Sequence, residues 1–404
     1  MSETAARVDL ADLGFDRGAQ LLLKRALRSI PVGARLDVFG THPDLAVHLR
    51  AWCRVQGHAV ELAAAAPAGP IARIVRGPAE TGRWSDSEAA GASDRSRPGA
   101  VVDRPDARWG LAARGARIEA GSPAFDFPLS DKDVVWADEA ASLYTQAAAA
   151  QWDPATAIAW ATPITHPPDI EDAVVQVMTF LIENETAALI VPASFLAKIH
   201  PHFREVLQLL AIQAADEARH IECFTRRAQL VRRDLGLSTA GGQESLKTLL
   251  EEPDFALAFF LLSVLGEGSF LSLLWFLHEH GPDAVTRDVC RLAAQDEARH
   301  VAFGLAHLRR HMGLDPGLRG RLRAAVERRH DALRHTDGLN EEVFDALVLL
   351  AAGSWEPADI AAGTGRVIAL QQSMDRGRRQ RLEKLGFPAD EAEALSALHT
   401  RNFM

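Results

Sequence analysis

The spacing of apolar and polar positions changes twice along the chain. From Arg7 to Gly77, short runs of strand-like alternation (Arg35 to Phe39, Ala59 to Ala63, Ile71 to Val75) are separated by two helical patterns, Gln20 to Ser29 and Pro43 to Val55. Alternation of period two predicts strands with one buried face, and period 3.6 predicts helices, so residues 1–77 read as a small α/β module. From Pro78 to about Asp131 no period persists and Gly, Ala, Ser, Arg, Asp and Pro dominate, which predicts a flexible linker over 78–131. From Lys132 onward the periods are long and helical, with stops at Gly236, at Gly281-Pro282 and around Gly313 to Gly320. The expected fold class is mainly α: a helical bundle over 132–404, with extra helices after Met312, preceded by the α/β module.

The long periods fold naturally into two hairpins. A helix from about Asp169 to Ile199 meets Pro201, a favoured first residue of the next helix, which is expected to run to about Leu235. A second pair, about Asp254 to His278 and Asp283 to Met312, is broken at His280-Gly281-Pro282. The later helix of each pair carries one pentapeptide, Asp216-Glu217-Ala218-Arg219-His220 and Asp296-Glu297-Ala298-Arg299-His300, offset by 80 residues. That is an internal duplication.

Each copy places a carboxylate and an imidazole three residues apart, hence on one helical face at ~5–6 Å between Cβ atoms. Each partner helix supplies a further carboxylate at the mirror position. The midpoint of 185 and 217 is 201, and the midpoint of 267 and 297 is 282, and both midpoints are the turn prolines. The expected metal ligands are therefore Glu185, Glu217, His220, Glu267, Glu297 and His300, and the same six are the expected catalytic residues. Glu183 competes with Glu185, since its midpoint with 217 is 200. Glu185 is favoured because it shares a face with Met178, Leu181, Ile182, Ala188 and Leu189, whereas Glu183 shares one with Gln176, Thr179 and Thr186. Four carboxylates and two imidazoles suit two iron ions, with manganese or a mixed iron and manganese pair as alternatives, better than zinc, which favours four ligands. Asp216, Arg219, Asp296 and Arg299 are expected to orient the imidazoles and balance charge from outside the ligand set.

Composition narrows the partners. A formal charge of −10 and pI near 5.8 speak against a nucleic-acid surface. Cys53, Cys223 and Cys290 are widely spaced, which excludes a disulfide framework and a rubredoxin-type iron site and fits a reducing cytoplasm. Cys223 and Cys290 read as core residues, and His200, His202, His278 and His280 as surface residues near turns. Ala256 to Leu277 is long and apolar enough to cross a bilayer, but a central Glu267 would cost ~2.5 kcal/mol or more in lipid. A buried bundle helix that hands its glutamate to a metal is the better reading, so no membrane is expected. Gly266, Gly268 and Gly304 either make room for substrate or let helices approach closely.

Glu185 with Asp216-Glu217-Ala218-Arg219-His220, and Glu267 with Asp296-Glu297-Ala298-Arg299-His300, resemble the duplicated Glu...Asp-Glu-x-Arg-His signature of ferritin-like non-haem di-iron oxygenases, over about Trp152 to Met312. Gln151-Trp152-Asp153-Pro154, with Ile158 and Trp160, is similar to lead-in segments of that superfamily. The resemblance implies a ferritin-like bundle and an O2-activating oxygenase or oxidase, of monooxygenase type, acting on a small organic or carrier-bound substrate. O2 would be co-substrate and, with no cysteine cluster, electrons would come from an external reductase or ferredoxin, or from the substrate; a homodimer is compatible. The only tyrosine, Tyr144, precedes the bundle, unlike the radical tyrosine of ribonucleotide reductase small subunits. Ala293 stands where arylamine N-oxygenases carry an extra histidine. The alternatives are a ferroxidase or other iron-handling protein and a non-enzymatic metal-binding scaffold. Val8 to Gly14, Leu27 to Leu36 and Ala51 to His58 resemble a TusA-type sulfur-carrier domain. Its Cys-Pro-x-Pro is replaced by Phe15-Asp16-Arg17-Gly18, which implies docking or scaffolding rather than sulfur relay.

Overall fold

A computed structural model describes residues 6–63, 69–79, 84, 86–334 and 341–399. Two compact units emerge, residues 1–100 with 112–124, and residues 101–111 with 125–404.

In the first unit, strands β1 (Ala6–Asp9), β2 (Arg35–Phe39), β3 (Ala59–Leu62) and β4 (Ala72–Val75) form one sheet in the order β1-β2-β4-β3. β1 runs parallel to β2, with Val8 opposite Val38, and β4 is antiparallel to both β2 and β3. Helices α1 (Ala19–Arg28) and α2 (Leu45–Val55) present Leu23, Leu27, Leu45 and Leu49 to a core shared with Leu36, Val38 and Ile74. β1 alternates, with Ala6 and Val8 half-buried and Arg7 and Asp9 exposed, and adds a strand to the three expected. Cys53 lies in this core, where burial pushes its thiol up to about 12, the state of an inert packing residue.

The described part of 78–131 departs from the expected flexible linker. β5 (Glu88–Ala89) pairs with β6 (Arg117–Ile118), and aspartate side chains tie the turns, as where Asp106 Oδ1 accepts from Arg108 N at 2.8 Å. Such local side-chain bonds satisfy backbone groups without any periodic signal. Residues 80–83 and 85 of that stretch lie outside the described residues.

The second unit is helical: α3 (Lys132–Val135), α4 (Ala140–Ala149), α5 (Pro168–Leu196), α6 (Arg204–Ala228), α7 (Ala240–Leu250), α8 (Phe255–His280), α9 (Ala284–Leu314), α10 (Leu318–Leu333), α11 (Glu341–Ala352), α12 (Pro357–Lys384) and α13 (Ala389–His399). α5 packs on α6 and α8 on α9, the two expected hairpins, while α11 and α12 pack on their outside. α6 ends before the expected Leu235, because the chain folds back onto α5. Thr179 Oγ1 accepts from Gly236 N at 2.7 Å and Gln176 Oε1 from Leu237 N at 2.8 Å. α8 is not uniformly α-helical, since Phe260–Glu267 is a π-helical stretch. α5 and α8 are long and apolar enough to cross a membrane, but 67% and 89% of their apolar windows are buried inside the protein, as in core helices.

His200 and His202 are buried, contrary to the expectation of surface histidines, whereas His278 and His280 are half-buried. Residues 101–111 and 125–129 account for this. The chain at Leu129 bridges to Ile199, Val102 N donates to His202 Nε2 at 3.0 Å, and Phe127 packs edge-on to His200. His307 is buried among Phe255, Phe303 and the Trp136 carbonyl, and burial lowers it to about 3. Its folded pKa lies below its unfolded one, so its neutral form stabilises the fold at neutral pH. That contribution is lost as pH falls from ~6.5 toward 3, with a slope of up to ~1.4 kcal/mol per pH unit. A His307→Leu variant should therefore show a shallower loss of urea-midpoint stability over that window than the parent protein; equal slopes would contradict this.

Candidate metal centre

The turn geometry brings the duplicated motif together. His200 Nδ1 accepts from His202 N and caps the first turn, and Asp283 Oδ1 accepts from Thr286 N at 2.8 Å to start α9. With both hairpins closed at Pro201 and Pro282, α5, α6, α8 and α9 each turn a glutamate inward. Glu185, Glu217, His220 and Glu297 offer ligand atoms all within 4.8 Å of one another, and so do Glu217, Glu267, Glu297 and His300. Glu217 and Glu297 belong to both groups, so the six residues form two adjoining sites that share two carboxylates. Glu185 is 3% exposed and Glu183 half-buried, and only Glu185 joins the cluster.

The two histidines are oriented alike. His220 Nδ1 faces Glu217 Oε2 at 3.2 Å, Glu297 Oε1 at 3.4 Å and Glu185 Oε2 at 3.5 Å. His300 Nδ1 faces Glu217 Oε1 at 2.9 Å and Glu297 Oε2 at 3.3 Å. Each Nε2 points away, to an aspartate of the opposite copy: His220 to Asp296 at 3.2 Å and His300 to Asp216 at 3.4 Å. The bundle thus crosses the two pentapeptides, each aspartate holding the histidine of the other copy. Arg219 bonds both aspartates, at 2.5 Å to Asp216 and 2.8 Å to Asp296, and Arg299 pairs with Asp296. The lead-in segment adds two partners that residue spacing alone did not assign: Gln151 Nε2 donates to Asp216 and Trp152 Nε1 to Asp296, both at 2.8 Å. Gln213, also unforeseen, donates to Glu267 at 3.2 Å.

The electrostatics fit a cation. Glu217 Oε1, Glu267 Oε2, both Glu297 oxygens and His300 Nδ1 are buried without a well-aligned hydrogen bond, although His300 Nδ1 lies close to Glu217 Oε1 and Glu297 Oε2. Such groups are costly unless something neutralises them, and oxygen and imidazole donors converging on two points suit iron or manganese. Burial, then the charge of Glu297, pushes the Glu217 carboxyl well above its ordinary value, and the same causes raise Glu267 to about 8. Burial would also raise Glu297, but the His300 and His220 imidazoles outweigh it and hold that carboxyl near about 2. Burial would lower both histidines, but the surrounding carboxylates raise both well above the usual range. Without metal these imidazoles therefore carry protons at neutral pH, and a divalent ion must displace them. Anaerobic Fe(II) binding should release protons and tighten as pH rises through neutrality. Calorimetry in buffers of different ionisation enthalpy reads this directly, and a proton count of zero would contradict it.

A small cavity of about 30 Å³ adjoins the cluster. Glu185, Glu267 and Glu297 stand on one side of it, Leu261, Leu262 and Phe270 are among its walls, and Arg329 of α10 and His399 of α13 also line it. Gly266 borders this space. Gly268 and Gly304 serve close approach instead: an added Cβ would sit 2.4 Å from Arg381 Nε at the first and 2.6 Å from Ser263 Cβ at the second.

No protein-family model matches the chain, and no curated protein matches it. Among solved structures it is similar to an R2-like ligand-binding oxidase from Sulfolobus acidocaldarius, with 16% identity and TM-score 0.40 over 64% of this chain and 94% of that one. It is also similar to a variant of an R2-like ligand-binding oxidase with an aerobically reconstituted Mn/Fe cofactor, with 17% identity and TM-score 0.42 over 61% and 92%. A Synechococcus protein with aldehyde deformylating oxidase activity shares 19% identity at TM-score 0.37, over 64% and 98%.

Proposed function

We propose that the chain is a dinuclear non-haem metal oxidoreductase, of oxygenase or oxidase type, that uses O2 to oxidise a small organic substrate. The observation that carries this is the pair of four-residue groups sharing Glu217 and Glu297, buried, with carboxylate oxygens left unbonded. Glu185 and His220 would hold one ion and Glu267 and His300 the other, with Glu217 and Glu297 common to both. Two iron ions, or manganese in one or both places, would supply O2 activation and electron transfer when bound. Asp296 and Asp216 hold His220 and His300 by Nε2, which leaves both Nδ1 atoms facing inward. Leu261, Leu262 and Phe270 keep the substrate side apolar and limit water.

Electrons would come from an external reductase or ferredoxin, because Cys53, Cys223 and Cys290 are buried, free and scattered. Those reduced thiols suit a cytoplasmic setting. The α/β module, TusA-like in its sequence but without the family's thiol, is assigned a docking or scaffolding role.

A ferroxidase would need no apolar flank, and Leu261, Leu262 and Phe270 beside Glu185, Glu267 and Glu297 favour the oxidoreductase. Fe(II) loading under anaerobic conditions, desalting and metal analysis, followed by O2 consumption with a chemical reductant, tests the reading. About two retained irons per chain with O2 uptake are expected. No retained iron overturns the di-metal assignment, and continued uptake of many irons per chain with O2 would favour iron handling.

A further inference from the structure

The duplication that builds the metal centre is broken at one buried position. One turn before the motif glutamate of each copy stand Gln213 in α6 and Ala293 in α9, offset by the same 80 residues as the pentapeptides. Both are 1% exposed. Gln213 Nε2 donates to Glu267 Oε1 at 3.2 Å, a bond that runs from the first hairpin to the second. Ala293 carries no group that could return such a bond to Glu185. Asn184, the neighbour of Glu185 in the chain, does not stand in for it, since its Nδ2 donates to the Phe180 carbonyl at 2.8 Å on its own helix. Among the described residues Glu185 thus faces the His220 imidazole, at 3.5 Å, and receives no side-chain amide.

The bond has a physical task that packing alone would not require. Glu267 closes the π-helical stretch Phe260–Glu267, where the ordinary α-helical register no longer dictates where the side chain is aimed. A donor from the opposite hairpin supplies that missing constraint. An amide does so without charge, so the four carboxylates and two imidazoles keep their balance, whereas an arginine or lysine at 213 would compete with the cations for the same glutamates. Gln213 engages one oxygen of Glu267 and leaves Oε2 without a well-aligned hydrogen bond, which is the state of a donor atom awaiting an ion.

We propose that Gln213 is a positioning residue that tethers Glu267 by one carboxylate oxygen, so that the ion held by Glu267 and His300 is bound more tightly than the ion held by Glu185 and His220. This deepens the di-metal reading and rests on it. The six ligands match one for one between the copies, and the difference between the two metal positions resides in residue 213.

The test is anaerobic calorimetric titration of the full-length protein with Fe(II). The parent should bind two ions with affinities at least about tenfold apart, the lower end of what a hydrogen-bonded neighbour contributes to a ligand. Two ions bound in indistinguishable steps overturn the proposal before any variant is made and leave the di-metal reading standing; no bound iron sinks both. Gln213→Leu should weaken the tighter step ~10–100-fold and leave the other unchanged. Gln213→Glu, which keeps the shape but replaces the donor by an acceptor, should weaken the same step and serves if the leucine variant does not fold. Location is read from double substitutions. In a Glu185→Ala chain, Gln213→Leu should cost the remaining ion the same ~10–100-fold, whereas in a Glu267→Ala chain it should cost nothing further. A loss of equal size in both backgrounds would mark Gln213 as a packing residue and overturn the assignment.

Discussion

Replacing Glu217 with alanine is expected to lower retained iron from about two ions per chain to fewer than one and to abolish iron-dependent O2 consumption. The magnitude follows from sharing. Outer residues that merely orient a ligand typically matter by ~10–100-fold in metal affinity, whereas Glu217 belongs to both four-residue groups. Its loss removes one donor from each site and leaves His220 and His300 facing fewer carboxylates. Asp296→Asn, which weakens the hold on His220 Nε2 together with the contacts to Arg219, Arg299 and Trp152, should fall within that ~10–100-fold range. Glu183→Ala, outside the cluster, should leave the iron content unchanged. Metal analysis after anaerobic loading, with O2 uptake on the same samples, checks all three. A Glu217→Ala protein that retains two irons would remove the shared-carboxylate arrangement from consideration.

The largest stability effect is expected at a residue remote from the metal cluster. Arg227 is fully buried at the end of α6, where it bonds Glu171 through two 2.8 Å contacts, Asp283 at 2.8 Å and Thr286 Oγ1 at 2.7 Å. These bonds join α5, α6 and the start of α9, and His166 adds a 2.7 Å contact to Glu171. Breaking such a network by removing one partner typically costs ~3–5 kcal/mol, since the orphaned charges stay buried. Arg227→Met should destabilise the chain by that amount in urea denaturation. Converting Glu171 and Asp283 to Leu and Asn in the same chain should recover much of it, because the penalty comes from the carboxylates left behind. A single variant as stable as the parent would show that the network contributes little.

How much of this was legible in the residues depends on what local spacing can express. The six proposed ligands were legible because a three-residue spacing and mirror positions about Pro201 and Pro282 are properties of one chain segment and its turn. The crossed aspartate–histidine pairs were not, since the register between α6 and α9 is decided by side-chain packing across the bundle. The π-helical stretch ending at Glu267 was hidden because the seven apolar or small residues before the glutamate fit either winding. Arg329 shares a helical face with Leu322, Ala325, Val326 and Leu333, and Arg227 one with His220, Cys223 and Phe224, so periodicity separates each from its exposed neighbour; what local spacing does not give is the partner on another helix that receives the buried cation. The paired strands at 88–89 and 117–118 lacked periodicity because two residues are too few to repeat a pattern.

The crossing of the pentapeptides makes the two hairpins mutually dependent. Each imidazole is aimed by an aspartate on the other repeat, so neither repeat contains a finished half-site. Two copies of a single hairpin related by a twofold axis would complete each other's sites in the same way, and the fused chain retains the logic of that dimer. Iron retention is thus a reporter of correct pairing between repeats: a chain nicked between Gly236 and Asp254 should hold metal only while its two fragments remain associated.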